Sequence, residues 1–390
     1  MACSSQTSIP CTLMRGGTSK GPFFLASDLP YDPRLRDRVL LAVMGSPHSR
    51  QIDGVGGADP LTSKVAVVSR SSRPEIDVDY LFAQVAIERA LVDVTPNCGN
   101  MLAGVGPFAI ERGLVVASDP VTPVRIYMVN TGNTAVAHVP TPKGEVCYQG
   151  DAAIAGVPGT AAAIRIDFLN TAGSVCGSLL PSGRVLDTLD GIDATLIDNG
   201  MPVVILRASD FGKTGYESPA ELDADKLFKA RLEEVRILAG QRMGLGDVHA
   251  KVVPKMTLIA PPRAGGDLAT RTFIPHKCHA AIGVLGAVTV GTACVLPGSI
   301  ASGIVGSRAG AVKRFSVEHP SGEFSLEIET GEPDGETIRI LRSSLIRTAR
   351  ALFRGEVLVP QNVWDGVEAK TPVNQPEMKH SQVPAPGDTV

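Results

Sequence analysis

Two residues stand where this chain could carry proton-transfer chemistry, each in a short and distinctive context. The first is Cys98, in Thr95-Pro96-Asn97-Cys98-Gly99-Asn100-Met101, at the start of a run of small apolar residues that reads as a buried helix. Free N–H groups and the helix dipole at such an end favour negative charge, so they lower a thiol pKa and also hold carboxylates. Asn97 and Asn100 offer amide donors, Gly99 lets a ligand reach the backbone, and Met101 lies in the same first turn. The alternative for Cys98 is a small core hydrophobe. The second is Lys64, at the head of the apolar strand Lys64-Val65-Ala66-Val67-Val68, after Ser63 and a loop holding Gly54, Gly56 and Gly57. Burial would disfavour its ammonium form, which is how lysine becomes a base near neutrality. The alternative is a solvated strand-end lysine.

Around these stand groups suited to carboxylates. Met14-Arg15-Gly16-Gly17-Thr18-Ser19-Lys20-Gly21 supplies a guanidinium in Arg15, able to clamp a carboxylate with two parallel hydrogen bonds, and the hydroxyls of Thr18 and Ser19. A second helix start is expected at Pro275-His276-Lys277-Cys278-His279, where His276 and Lys277 add positive donors. Arg271 and Ser321 complete the candidate contacts.

Other patterns dissolve on inspection. Gly16 to Lys20 lacks the residue order of a phosphate loop, and Gly104-x-Gly106-x-x-Ala109 falls inside a helix rather than between strand and helix. His276, Cys278 and His279 do not converge on one helical face, so no metal is expected. No Ser-His-Asp set and no carboxylate pair is recognisable.

These groups need a scaffold, and 390 residues suffice for two or three domains. With 41 glycines and 29 prolines the chain is rich in turns, yet 44% hydrophobic residues keep it in the globular class. The net charge of −3 gives no basic footprint for nucleic acid. No secretory signal opens the chain, and no apolar stretch reads as a membrane span; the most apolar one, Ala280 to Leu296, reads as a buried helix. Seven scattered cysteines with no C-x-x-C pair imply reduced thiols in a cytoplasm.

Strands are predicted at 65–69, 124–129, 135–139, 163–168, 194–197, 203–207, 256–260 and 324–328, and helices at 33–44, 99–113, 220–243, 279–296 and 344–353. The segment Thr371 to Val390, with four prolines, reads as a disordered tail. An internal repeat organises the rest. Leu25-Ala26-Ser27-Asp28 returns as Arg207-Ala208-Ser209-Asp210, an offset of 182 from Asp28 to Asp210, and Cys98 and Cys278 precede similar small-residue helices 180 apart. Helices apolar all round must be buried, so the pattern predicts two α/β halves, 1–183 and 184–370, each a curved sheet around a central helix, with a cleft between. Both helix starts would face a ligand with carboxylates at each end.

The motifs Met14 to Gly21, Gly56 to Ala66, Asn97-Cys98-Gly99-Asn100, Asp198-Asn199-Gly200-Met201-Pro202 and His319-Pro320-Ser321-Gly322-Glu323-Phe324 resemble those of the PrpF-like isomerases, to about residue 360. The resemblance implies an α/β (α+β) fold like that of diaminopimelate epimerase, with Lys64 and Cys98 on the family's catalytic positions. It further implies cofactor-independent proton transfer on an unsaturated di- or tricarboxylate. Stretches at 42–47, 79–85 and 104–113 are most similar to members that tautomerise 4-oxalomesaconate or shift its double bond in aromatic catabolism. Isomerisation of 2-methylaconitate, aconitate or methylitaconate, and carboxylate binding without catalysis, stand as alternatives. The reading includes no nucleic-acid or membrane partner and leaves room for a homodimer.

Overall fold

The computed structural model describes residues 5–169, 171–249, 251–332 and 338–367. The proposed tail at 371–390 lies outside them. In chain order the first ten elements are β1 (Gln6–Gly16), β2 (Ser19–Leu25), α1 (Pro33–Met44), β3 (Lys64–Arg70), β4 (Val78–Val85), β5 (Val92–Asp93), α2 (Gly99–Glu111), β6 (Val121–Met128), β7 (Asn133–Pro140) and β8 (Ile164–Leu169). There follow β9 (Asp187–Leu189), β10 (Ile192–Asp198), β11 (Pro202–Arg207), α3 (Pro219–Ala224), α4 (Lys226–Arg242), β12 (Lys255–Ala260) and β13 (Leu268–Phe273). The chain then forms α5 (Val284–Cys294), α6 (Ile300–Val305), β14 (Val312–His319), β15 (Gly322–Thr330), β16 (Ile340–Arg347) and β17 (Ala349–Pro360).

Local chemistry sets many of these boundaries. Asp32 caps α1 by accepting from the Arg34 N–H, Pro33 stands at its first position, and Gly45 ends it in the left-handed region at φ 73°. Gly17 (φ 53°) and Thr18 form the two-residue turn between β1 and β2.

One strand pattern occurs twice. β1 pairs antiparallel with β2, β2 parallel with β3, β3 antiparallel with β4, β4 parallel with β6, and β6, β7 and β8 antiparallel in turn. β10, β11, β12, β13, β14, β15 and β16 repeat that sequence of pairings without exception. The final strands of the two repeats, β8 and β16, pair with each other, and β17 returns to β1. The fold is therefore two similar halves joined through their sheets, as the repeat predicts.

A main core gathers residues of α2 and α5 with the inner faces of both sheets. α2 buries Met101 through Ala109, and α5 buries nearly every residue. Packing explains the small side chains: a Cβ on Gly104 would lie 2.7 Å from the Phe23 ring, and one on Gly291 would lie 2.7 Å from Leu326.

Three expected elements differ. The helix expected at 220–243 is two, α3 and α4, divided at Asp225, whose side chain accepts from the Phe228 N–H and caps α4. The helix expected at 344–353 is the end of β16 and the start of β17, where pairing with β8, β15 and β1 overrides a helix-like spacing of apolar residues. The second central helix begins at Val284 rather than His279. The Cys278 N–H donates to Asp223 and the His279 N–H to the Thr272 carbonyl, so those residues stay tied to β13 and α3.

Candidate active site

The N-termini of the two central helices meet. A Cβ on Gly99, the first residue of α2, would lie 2.6 Å from the Cβ of Val284, the first residue of α5. Neither helix has a side-chain cap: the N-cap positions are Cys98 and Gly283. Two sets of uncapped N–H groups and two positive dipole ends thus face one place, an arrangement suited to anions.

The turn after β1 packs on this junction. Cβ atoms at Gly16 and Gly17 would strike the Asn100 carbonyl and side chain, so both glycines are needed for the approach. Ser19 is buried, with its Oγ 4.0 Å from Cys98 Sγ. Two residues on, Gly21 lies against the Lys64 backbone. Lys64 is buried on the inner face of β3, its Nζ donating to Gln84 Oε1 at 2.5 Å and lying 5.1 Å from the centre of the Phe82 ring. The amide of Gln84 donates to the carbonyls of Ser63 and Pro60, which turns its oxygen toward Lys64.

Several expected contacts serve the scaffold in this structure. Arg15 donates to the carbonyls of Gly17 and Thr348 and to the Thr348 hydroxyl. Ser63 donates to the Val85 carbonyl and accepts from Gln51. Asn97 donates to Met128 Sδ and Thr131 Oγ1, and Asn100 keeps a buried Oδ1 without a partner. Met101 is wholly buried in the main core, and Thr18 sits half-buried at the turn.

The others divide: His276 turns to α4, while Arg271 and Ser321 stand near His319. His276 is exposed and faces Glu233 on α4 at 3.5 Å, and Lys277 is exposed beside it. Arg271 shares a strand face with Phe273, whose ring packs on Phe228 of α4, and donates from Nε to the Glu217 carbonyl. Ser321 is exposed and lies 3.3 Å from His319 Nδ1.

The structure adds residues that sequence reasoning did not place in the site. His319 lies on the inner face of β14, and burial, then the charge of Arg347, push its pKa down to about 4. Its Nδ1 accepts from the Ser321 N–H, leaving Nε2–H as a donor. His279 is likewise pushed down by burial and by the charge of Lys255; its Nδ1 accepts from the Ala281 N–H. Arg347 is 4% exposed, with its guanidinium 3.8 Å from the Phe324 ring. Its guanidinium donates to the neighbouring Ile346 carbonyl, its Nε has no partner among the described residues, and burial lowers its pKa to about 9. A buried, unpaired guanidinium is costly, and a carboxylate ligand would relieve it. His319 and the motif after it carry the resemblance in sequence, whereas Arg347 has no local signal.

Residues 6–360 match the sequence pattern described as "PrpF protein". The chain belongs to the PrpF family. It is 58% identical to a 4-oxalomesaconate tautomerase of Pseudomonas putida, over 93% of this chain and 99% of that one. A (4E)-oxalomesaconate Delta-isomerase of Novosphingobium is also 58% identical, over 90% of this chain and 98% of its own length. The crystal structure of a methylitaconate-delta-isomerase superposes with a TM-score of 0.81 at 36% identity, covering 95% of this chain and all of the other. A hydroxyproline epimerase at 12% identity and TM-score 0.52 shares the fold. This PrpF protein is therefore an isomerase with the epimerase-like double-half fold. Among the described residues no helix is long and apolar enough to cross a membrane, and no three His, Cys, Asp or Glu side chains gather as a metal set.

Proposed function

We propose that this PrpF-family enzyme isomerises 4-oxalomesaconate, by enolisation or by a 1,3-shift of its double bond. The single observation that carries the reading is a buried amine, Lys64, on the inner wall beside two fused and uncapped helix N-termini. The substrate's CH2, between a ketone and a carboxylated alkene, is acidic because its carbanion spreads onto the ketone oxygen. Lys64 in its amine form takes that proton. The C–H pair becomes a dienolate, and protonation at oxygen or at the far carbon completes the reaction.

The helix N–H groups, Cys98 and Ser19 suit developing negative charge, and Arg347 and the imidazole N–H groups of His279 and His319 suit the carboxylates. The chemistry needs no redox or electrophilic cofactor. The identity of 58% to two oxalomesaconate isomerases over nearly their full lengths favours this acid over smaller ones. Six free thiols among the described residues accord with a cytoplasmic setting.

The test is proton NMR of 4-oxalomesaconate with the enzyme in deuterated water, run beside 2-methylaconitate and methylitaconate. Deuterium uptake at the CH2 with conversion of 4-oxalomesaconate is expected. Preference for methylitaconate would move the assignment to the smaller acid. Binding without exchange on any of the three would favour a carboxylate-binding protein.

A further inference from the structure

The second half also sends an amine toward the interior. Lys255 opens β12 and pairs with Val203 of β11. Val203, Ile205 and Ile259, on that side of the two strands, belong to the main core around α2 and α5. Met256 and Leu258, on the opposite side of β12, face the separate core under α4. Lys255 therefore projects into the same interior as Lys64, which opens β3 on the side of Ala66 and Val68.

The two amines differ in what holds them. Lys64 stands opposite Gln84 on β4 and donates to it. β13 ends at Phe273, opposite Met256, one residue short of a place facing Lys255. The Lys255 amine accordingly has no hydrogen-bond or ion-pair partner among the described residues. Burial pushes its pKa down to about 8, so at neutrality it is still an ammonium. A cation kept from water without a partner is costly until an anion meets it.

Its neighbours also suit anions. Beyond its burial, His279 feels the charges of Lys255 and Lys64, and His319 those of Arg347 and His279, so these groups share one field. Glu318 does not neutralise it. That carboxylate points to the other side of β14, where it accepts from the N–H groups of Arg263, Ala264 and Gly266. Negative charge thus has three places to settle: the fused helix N-termini, Arg347 with His319, and Lys255 with His279.

We propose that Lys255 anchors a third substrate carboxylate, so that the site selects acids with three carboxylates over acids with two. The inference rests on the isomerase reading given above and deepens it. Lys255 binds and moves no proton; proton transfer stays with Lys64 and Cys98 in the first half. 4-Oxalomesaconate, with three carboxylates, fills all three places. Methylitaconate, with two, leaves one cation unpaired.

The test uses two unreactive acids: tricarballylate, which has three carboxylates, and glutarate, the same chain without the central one. Each is titrated calorimetrically into the parent, Lys255→Met and Lys255→Arg, with circular dichroism to confirm folding. The parent is expected to prefer tricarballylate about 10- to 100-fold, the worth of one charge-assisted hydrogen bond. Lys255→Met should remove most of that preference by weakening tricarballylate, leaving glutarate within about threefold of the parent. Lys255→Arg keeps the charge and should retain part of it. In turnover of 4-oxalomesaconate, Lys255→Met should raise KM about 10- to 100-fold and leave kcat within about tenfold.

No preference in the parent, undiminished preference in Lys255→Met, or equal weakening of both acids would overturn the proposal. So would equal loss in the methionine and arginine variants, which would make the residue structural. A fall in kcat at unchanged KM would place it in the chemistry and overturn the proposal too. If the parent does not convert 4-oxalomesaconate, it is the substrate assignment that fails, and the comparison of tricarballylate with glutarate still decides the anchor.

Discussion

Gln84 accepts the Lys64 amine at 2.5 Å while both N–H bonds of its own amide are committed to the carbonyls of Pro60 and Ser63. The amide cannot turn over without losing those bonds, so Lys64 is held by an oxygen whose direction the backbone dictates. A neutral acceptor steadies the amine without adding charge.

Gln84→Glu should therefore be more harmful than its shape suggests. A carboxylate in contact with an amine favours the ammonium over the base form that must take the proton. Turnover at pH 7 should fall about 10- to 1000-fold and recover as pH rises, since the base form reappears only on the alkaline side. A pH–rate profile superimposable on that of the parent would remove Gln84 from this role.

Replacing Lys64 with Met keeps the apolar stem and deletes the base. We expect about a 10²–10⁴-fold loss of turnover with near-parental circular dichroism, and loss of deuterium washout along with it. Retained washout would assign proton abstraction to another group.

Arg347 offers a separation of binding from chemistry. Arg347→Met fills the same slot against Phe324 without a buried cation. KM for 4-oxalomesaconate should rise about 10- to 100-fold, the worth of a charge-assisted hydrogen bond, with a smaller change in kcat. The melting temperature should hold or rise, because an unpaired buried charge has been removed. An unchanged KM would show that this guanidinium does not meet substrate.

His319 gives the fold an acid limit. Its pKa is about 4 in the folded protein against 6.5 for the free side chain. Between those values the unfolded chain binds a proton that the native state refuses, so stability is greatest above about 6.5 and declines as pH falls toward about 4. In denaturant titrations across this range, His319→Gln should show a shallower decline than the parent. An equal slope would mean that other groups set it.

The sequence made much of this architecture legible because short-range signals agree with the final packing. Asp32, Pro33 and Gly45 bracket α1, and the uninterrupted small apolar residues of α2 mark it as central. The spacing of Cys98 and Cys278 pointed to duplication, yet the second helix starts five residues after the expected His279, since Cys278 and His279 stay tied to β13 and α3. Arg347 was hidden by a helix-like apolar spacing that only long-range strand pairing corrects.

The glycines of the central helices constrain how such an enzyme can diversify. Gly99, Gly104 and Gly291 have no room for even a methyl group, since Val284, Phe23 and Leu326 already occupy it. Selectivity among related acids must then be retuned in the rim, at the 15–21 turn, the 275–283 segment and the 319–322 turn. Combinatorial libraries confined to those stretches should yield folded variants with altered preference, while libraries in the helices should yield mostly insoluble protein.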